Sequence, residues 1–185
     1  MTETPRFTIS RVFNAPRARV WDAWTRPEAL ARWFGPKGSS STMIAFDLRP
    51  GGEWRGRMDM PDGGVLYSKF VFREIEPMSR LVWVHGFGDA EGNRIRAPFA
   101  EHFPLEMLTV VLFADEGDGT RIDLSWTPLD ASPEEEAFFA SMMASMTGDS
   151  DRGSTSRAFT VPPHGMKRLR APLGGRRGVT RSSSR

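Results

Sequence analysis

A succession of short segments in this chain repeats a two-residue hydrophobic period, with Gly, Pro and Asp between them, and one late segment changes to a spacing of three and four residues. That order confines the chain to strands joined by tight turns, hence paired antiparallel, with a helix added last. Residues 53–60 alternate most cleanly: Trp54, Gly56, Met58 and Met60 fall on one face, Glu53, Arg55, Arg57 and Asp59 on the other. One face meets a core and the other meets water. Pro50-Gly51-Gly52 precedes this run and Pro61-Asp62-Gly63-Gly64 follows it, each a hairpin turn. Residues 43–48, 65–76, 81–87, 105–114 and 120–126 complete the meander, the last two joined by Gly117-Asp118-Gly119.

Ahead of the meander, residues 6–14 place Phe7, Ile9 and Phe13 on one face, with Arg11 the exception, and read as a first strand. Pro16 suits the first turn of a helix carrying Val20, Trp21 and Trp24. Pro27 opens a second short helix carrying Leu30, Trp33 and Phe34, which Gly35-Pro36 stops. Residues 88–104 have no period and form the longest loop, a kind of segment that tends to carry function or disorder. Ser132, Pro133 and Glu135 have capping-box spacing, and Phe138, Phe139, Met142, Met143 and Met146 then repeat at three and four residues until Gly148. A helix of about 14 residues is marginal in water on its own, so its apolar stripe is expected to bury against the sheet.

Charge divides the chain near the same point. Residues 1–148 hold 16 Lys and Arg against 21 Asp and Glu, a net of −5, whereas residues 149–185 hold 9 against 2, a net of +7. The basic balance therefore belongs to the last segment, and the mildly acidic body has no footprint for specific nucleic-acid binding. That last segment is dominated by Arg, Ser, Gly and Pro without either hydrophobic period and reads as disordered. Its Lys167-Arg168-Leu169-Arg170 and Arg176-Arg177 clusters would attract anions only unspecifically. The body, with 13 Phe and 6 Trp in the whole chain, is rich enough to build a core. With no cysteine there is no disulfide, thiol nucleophile or thiolate metal site, and three scattered histidines make no zinc centre. No apolar run approaches the roughly 18 residues of a membrane span, and the first residues lack the order of an export signal, so the cytoplasm is the expected compartment.

Several phrases together resemble one known family. They are Phe13-Asn14-Ala15-Pro16, Val20-Trp21-Asp22-Ala23-Trp24-Thr25, the run from Pro27 to Pro36, Pro50-Gly51-Gly52-Glu53-Trp54, Glu74-Ile75-Glu76-Pro77, Arg80-Leu81-Val82-Trp83 and Gly117-Asp118-Gly119-Thr120-Arg121. They are similar, in register over residues 6–148, to the bacterial family named after the activator of a heat-shock-protein ATPase, within the START-like (SRPBCC), polyketide-cyclase-related superfamily. The resemblance implies an α+β helix-grip fold, a curved antiparallel sheet of about six to seven strands around a C-terminal helix, with two short helices after the first strand. In such families the last helix continues for several turns past the position of Gly148. Here Asp149-Ser150-Asp151-Arg152 stands instead. Residues from about 149 are accordingly expected to be an out-of-frame translation or a foreign end, with a natural solvated tail as the alternative. A shortened helix would leave apolar side chains wet, for which low stability, aggregation or homodimerisation through that face is the expected result.

A curved sheet closed by a helix leaves an apolar hollow of the kind that holds small ligands. The residues expected to line it are Trp54, Met58, Trp83, His85, Phe87, Met107, Thr109 and Val111, with Trp126, Trp33 and Phe34 near the mouth; the bland alternative is that they are simply core. His85 would be the inward polar group able to orient a ligand or move a proton, unless it is a satisfied core histidine. His102 beside Glu101, and His164, have no second ligand at metal spacing, so no metal and no cofactor are expected. Ser39-Ser40-Ser41 reads as a flexible linker, and Glu134-Glu135-Glu136 as acidic residues favoured in a helix's first turn. The glycine pairs lack the strand-to-helix setting of a phosphate cradle. The expected function is binding of a small hydrophobic or amphipathic molecule. The alternatives implied by the resemblance are a regulatory protein that docks on a chaperone and a cyclase- or dehydratase-like enzyme using His85, although no local catalytic motif is present. Sequencing the coding DNA decides the origin of the tail: an alternative frame across it should encode an amphipathic, Leu-bearing stretch, and its absence in both other frames would make the tail authentic.

Overall fold

The computed structural model describes residues 4–35 and 38–148, with side chains to Ala144. The expectations for Pro36, for the Met146 side chain and for the tail with His164 lie outside the described residues. Within them, an open antiparallel sheet is ordered β1-β8-β7-β5-β4-β3-β2, with β6 added on β5. The strands are β1 (Phe7–Phe13), β2 (Ser40–Phe46), β3 (Glu53–Asp59), β4 (Val65–Glu76), β5 (Arg80–Gly88), β6 (Arg94–Ile95), β7 (Glu106–Glu116) and β8 (Gly119–Leu129). The helices are α1 (Arg17–Thr25), α2 (Pro27–Leu30) and α3 (Pro133–Gly148). This is the α+β helix-grip arrangement, its seven-strand path closed by the C-terminal helix.

Alternation decides the two faces. Across the sheet, Trp54, Phe70, His85 and Met107 stand in one register row, and Phe72, Trp83, Thr109, Trp126 and Phe7 in the next, all on the inner face. Register shifts between Met43 and Ala45 and between Phe72 and Glu74 are bulges, which bend strands. α1 and α2 cover one part of the inner face: Val20, Ala23, Trp24 and Leu30 are buried against Trp54, Phe72, Trp83 and Phe113. α3 covers another, with Phe139 and Met143 buried against Phe7, Met107 and Trp126.

Four local readings need correction. α2 ends at Leu30, and Trp33 and Phe34 follow in turns held by hydrogen bonds from their own N–H groups to the Leu30 carbonyl at 3.1 and 2.8 Å. Pro16 precedes α1 rather than lying within its first turn. Ser40 and Ser41 belong to β2, where the Ser41 hydroxyl donates to the Phe34 carbonyl at 2.6 Å; the polar triplet hid a strand because its partners are backbone groups distant in sequence. Residues 88–104 are no formless loop either. They contain β6 and bury Ala97 and Phe103.

That segment is tied down over the sheet. Lys69 Nζ donates to the Gly92 carbonyl at 3.0 Å, Arg55 Nη1 to the Glu91 carbonyl at 3.1 Å, and Arg94 Nη1 to the Lys69 carbonyl at 2.7 Å. Gly92 has φ +91, and a Cβ there would strike the Arg55 guanidinium, so the anchor requires glycine. At its far end Arg96 pairs with Glu135 of α3.

The capping box is formed: Glu135 N–H donates to Ser132 Oγ at 3.3 Å, and Ser132 N–H to Glu135 Oε2 at 3.0 Å. Loss of one capping partner costs about 1 kcal/mol. Thermal melts should therefore place Ser132→Ala below the parent by that amount and leave Glu136→Gln within about 0.5 kcal/mol of it. Equal melting of both variants with the parent would show that the cap does not hold α3.

Candidate functional site

Two buried apolar clusters make up the core on the inner face. Trp54, Trp83 and Val111 belong to the cluster under α1 and α2, with Trp33 and Phe34 packed against it. Met107 and Trp126 belong to the cluster under α3, with Phe87 packed against it. Leu124 touches both clusters. His85 and Thr109 stand between them. The His85 ring stacks on Phe70 at a centroid separation of 5.4 Å and lies tilted to Trp126 at 6.0 Å, so it reaches from one cluster to the other.

This polar pair is fully enclosed: His85 is 6% exposed and Thr109 0%. His85 Nδ1 and Thr109 Oγ1 are 2.9 Å apart. Burial is the main cause that pushes the imidazole down from 6.5 to about 3, and the positive charge of Arg94 acts in the same direction. His85 is thus neutral at physiological pH. Arg94 is itself held by Glu106, at 3.0 Å, in the anchored segment.

The other expected residues separate by role. Trp33 Nε1 donates to the Ala23 carbonyl at 2.9 Å, which locks the turn after α2 onto α1. Phe34 meets the Trp54 ring edge-on at 4.4 Å, and Trp54 stacks on Phe70 at 4.1 Å. Met58 lies beside a pocket of about 10 Å³, lined also by Ala31, Phe34 and Trp54, room for about one water. An open depression of about 250 Å³ lies on the opposite, outer face, framed by Ser10, Val110, Leu112 and Asp123. Its residues are not those expected to line the hollow.

Sequence reasoning passed over two residues of the same inner region. Trp24 was legible as helix core, and its ring lies 6.2 Å from that of Trp83. Phe70 was legible as an inward strand residue, yet its place between Trp54 and His85 depends on register. Among the described residues, no group of three or more metal-ligating side chains comes together, and no helix is long and apolar enough to cross a membrane.

A curved antiparallel sheet holding apolar clusters under a C-terminal helix defines a helix-grip protein. The family model described as "Activator of Hsp90 ATPase homolog 1-like protein" matches residues 14–149, and the chain belongs to that family. A crystal structure of a protein from Mycobacterium smegmatis is 23% identical, with 94% of this chain and 99% of that one covered at a TM-score of 0.66. A solution structure from Staphylococcus epidermidis is 16% identical, with 96% and 98% covered at 0.64. These two similarities speak to the fold alone. A crystal structure from Nitrosomonas europaea is 27% identical, with 74% and 82% covered at 0.56. No curated protein matches the chain.

The depressed pKa of His85 has a definite consequence for stability. Below 6.5 the unfolded chain takes up a proton that the folded chain refuses until about pH 3, so stability falls as pH drops through that window. From pH 6.5 to about 5, above the usual carboxylate range, the loss should approach about 1.4 kcal/mol per pH unit. Denaturant unfolding of the parent and of His85→Asn, which keeps a hydrogen-bonding group for Thr109 but does not titrate, isolates this contribution. Identical pH slopes for the two proteins would mean that His85 is free to charge in the fold.

Proposed function

We propose that the chain binds a small hydrophobic or amphipathic molecule on the inner face, in a hollow between the α1–α2 cap and α3. The observation that carries this reading is the division of the inner face into two apolar clusters that meet at an enclosed polar pair, His85 and Thr109. Ligand sites are mostly apolar, with a few polar groups fixing orientation, and this division supplies both. Affinity would come from burial of ligand surface, at about 25 cal/mol per Å² of apolar area. The helix-grip fold and the family are consistent with ligand binding or a regulatory role.

Residues 6–148 would act as one ligand-binding domain, and residues 149–185 would take no part. The cyclase-like alternative asks His85 to move protons near neutral pH. An imidazole lowered to about 3 is too weak a base for efficient transfer there. Docking on a chaperone is supported by the family's name and by no contact within this chain.

A titration with neutral apolar probes such as phenylnaphthylamine tests the binding reading. At a probe concentration 100 times its Kd the folded state should gain about 2.7 kcal/mol, seen as a rise in melting temperature with a shift in tryptophan emission. A panel of probes and lipids that moves neither observable would remove the proposal.

A further inference from the structure

The interior that would receive a guest is closed in the protein alone, with His85 and Thr109 both buried. Entry therefore requires one wall to move. The α1–α2 wall is fixed to its surroundings: Trp33 Nε1 donates to the Ala23 carbonyl at 2.9 Å, Thr120 Oγ1 to the Ala15 carbonyl at 2.8 Å, and Arg17 Nε to Asp115 at 2.8 Å. The cluster under α3 is walled differently. Its buried residues come from β1, β7, β8 and α3, except Ala97 and Phe103, which belong to the connection between β6 and β7. Within residues 96–104 the backbone hydrogen bonds are local and long, from Ala100 N–H to the Ala97 carbonyl at 3.4 Å and from Phe103 N–H to the Ala100 carbonyl at 3.2 Å.

Both ends of this connection are clasped together. Arg94 Nε donates to Glu106 Oε1 at 3.0 Å and Arg94 Nη1 to the Lys69 carbonyl at 2.7 Å, so the residues between Arg94 and Glu106 form a compact loop whose ends meet. Such a loop can swing as a unit while the strands stay paired. Besides its apolar contacts, the link from this loop to α3 is the Arg96–Glu135 ion pair, in which the Arg96 side chain is 58% exposed and that of Glu135 9%. Phe103 is buried in the same cluster as Met107, and Met107 is the cross-strand partner of His85. Lifting Phe103 would thus open a route along Met107 to the His85–Thr109 contact. We infer that residues 96–104 are the gate of the proposed hollow, with Phe103 as its plug and the Arg96–Glu135 pair as its latch. Phe99, 60% exposed and edge-on to Phe87 and Phe103, is the apolar side chain that an arriving guest meets first. The inference rests on the binding reading and adds to it how the guest passes in and out.

A guest crosses a gate in both directions, so loosening the latch should raise both rates and leave the affinity alone. Stopped-flow mixing of the full chain with phenylnaphthylamine, a neutral probe, reads the two rates. In Arg96→Gln, association and dissociation should each rise about fivefold, the factor expected when a partly exposed ion pair is lost, with Kd within about twofold of the parent. Glu136→Gln, which removes a charge next to the latch without touching Arg96, should match the parent. Parent-like rates in Arg96→Gln, or equal acceleration in Glu136→Gln, would overturn the gate while leaving the binding reading in place. A parent that binds no probe would remove the binding reading and the gate with it. If Arg96→Gln does not fold, amide hydrogen exchange of the parent still decides. The Ala100 and Phe103 amides should exchange through a local opening that low denaturant does not accelerate, whereas core amides of β7 follow global unfolding. Exchange of Ala100 and Phe103 through global unfolding alone would contradict the assignment.

Discussion

A single desolvated contact organises the interior. The His85 imidazole and the Thr109 hydroxyl, 2.9 Å apart, occupy adjacent strands at the point where the cluster under α1 and α2 gives way to the cluster under α3. An enclosed polar pair is tolerated only when each partner satisfies the other. Burial, with the Arg94 charge second, keeps the ring neutral, and it packs face-to-face on Phe70. The contact also requires the register that sets Trp83 beside Thr109 and His85 beside Met107. A slip of one residue would turn every inner side chain outward.

The segment between β5 and β7 links this contact to both layers. Its Arg94, held by Glu106 and the Lys69 carbonyl, is the charge that opposes protonation of His85. Its Arg96 hydrogen-bonds Glu135, the main reason that carboxyl lies below its usual range, with the Ser132 backbone N–H second. The same Glu135 closes the capping box of α3. One connection therefore biases the charge state of the interior and positions the helix that covers it. Phe99, exposed on this segment and edge-on to Phe87 and Phe103, marks where it crosses the border of the α3 cluster.

Much of this was legible in the sequence because it is periodic. Alternation in residues 53–60 separated the two faces of β3, and the Ser132–Glu135 spacing announced the helix start that the hydrogen bonds realise. The family resemblance rested on turn glycines, prolines and core tryptophans, and the matching family model covers the same body. What escaped was whatever depends on partners far along the chain. Ser40 and Ser41 read as linker because neither polarity nor length reveals a strand whose contacts are Phe34 and β3. β6 is two residues long, too short for any period to register. The division of the inner face was equally hidden. Alternation assigns Trp83, Thr109 and Trp126 to one side of the sheet, but only the placement of α1 and α3 decides which cap each one meets.

The central proposal is that the two caps part to admit an apolar guest beside the His85–Thr109 contact, which the protein alone encloses. Crystallography of the full chain under xenon pressure tests this directly, since xenon enters dry apolar space without needing a hydrogen bond. The account predicts a xenon peak in van der Waals contact with Trp83 and Thr109, or a retained guest molecule in that position. An inner face with α3 and the α1–α2 cap packed against each other over His85, and no xenon between them, would contradict it.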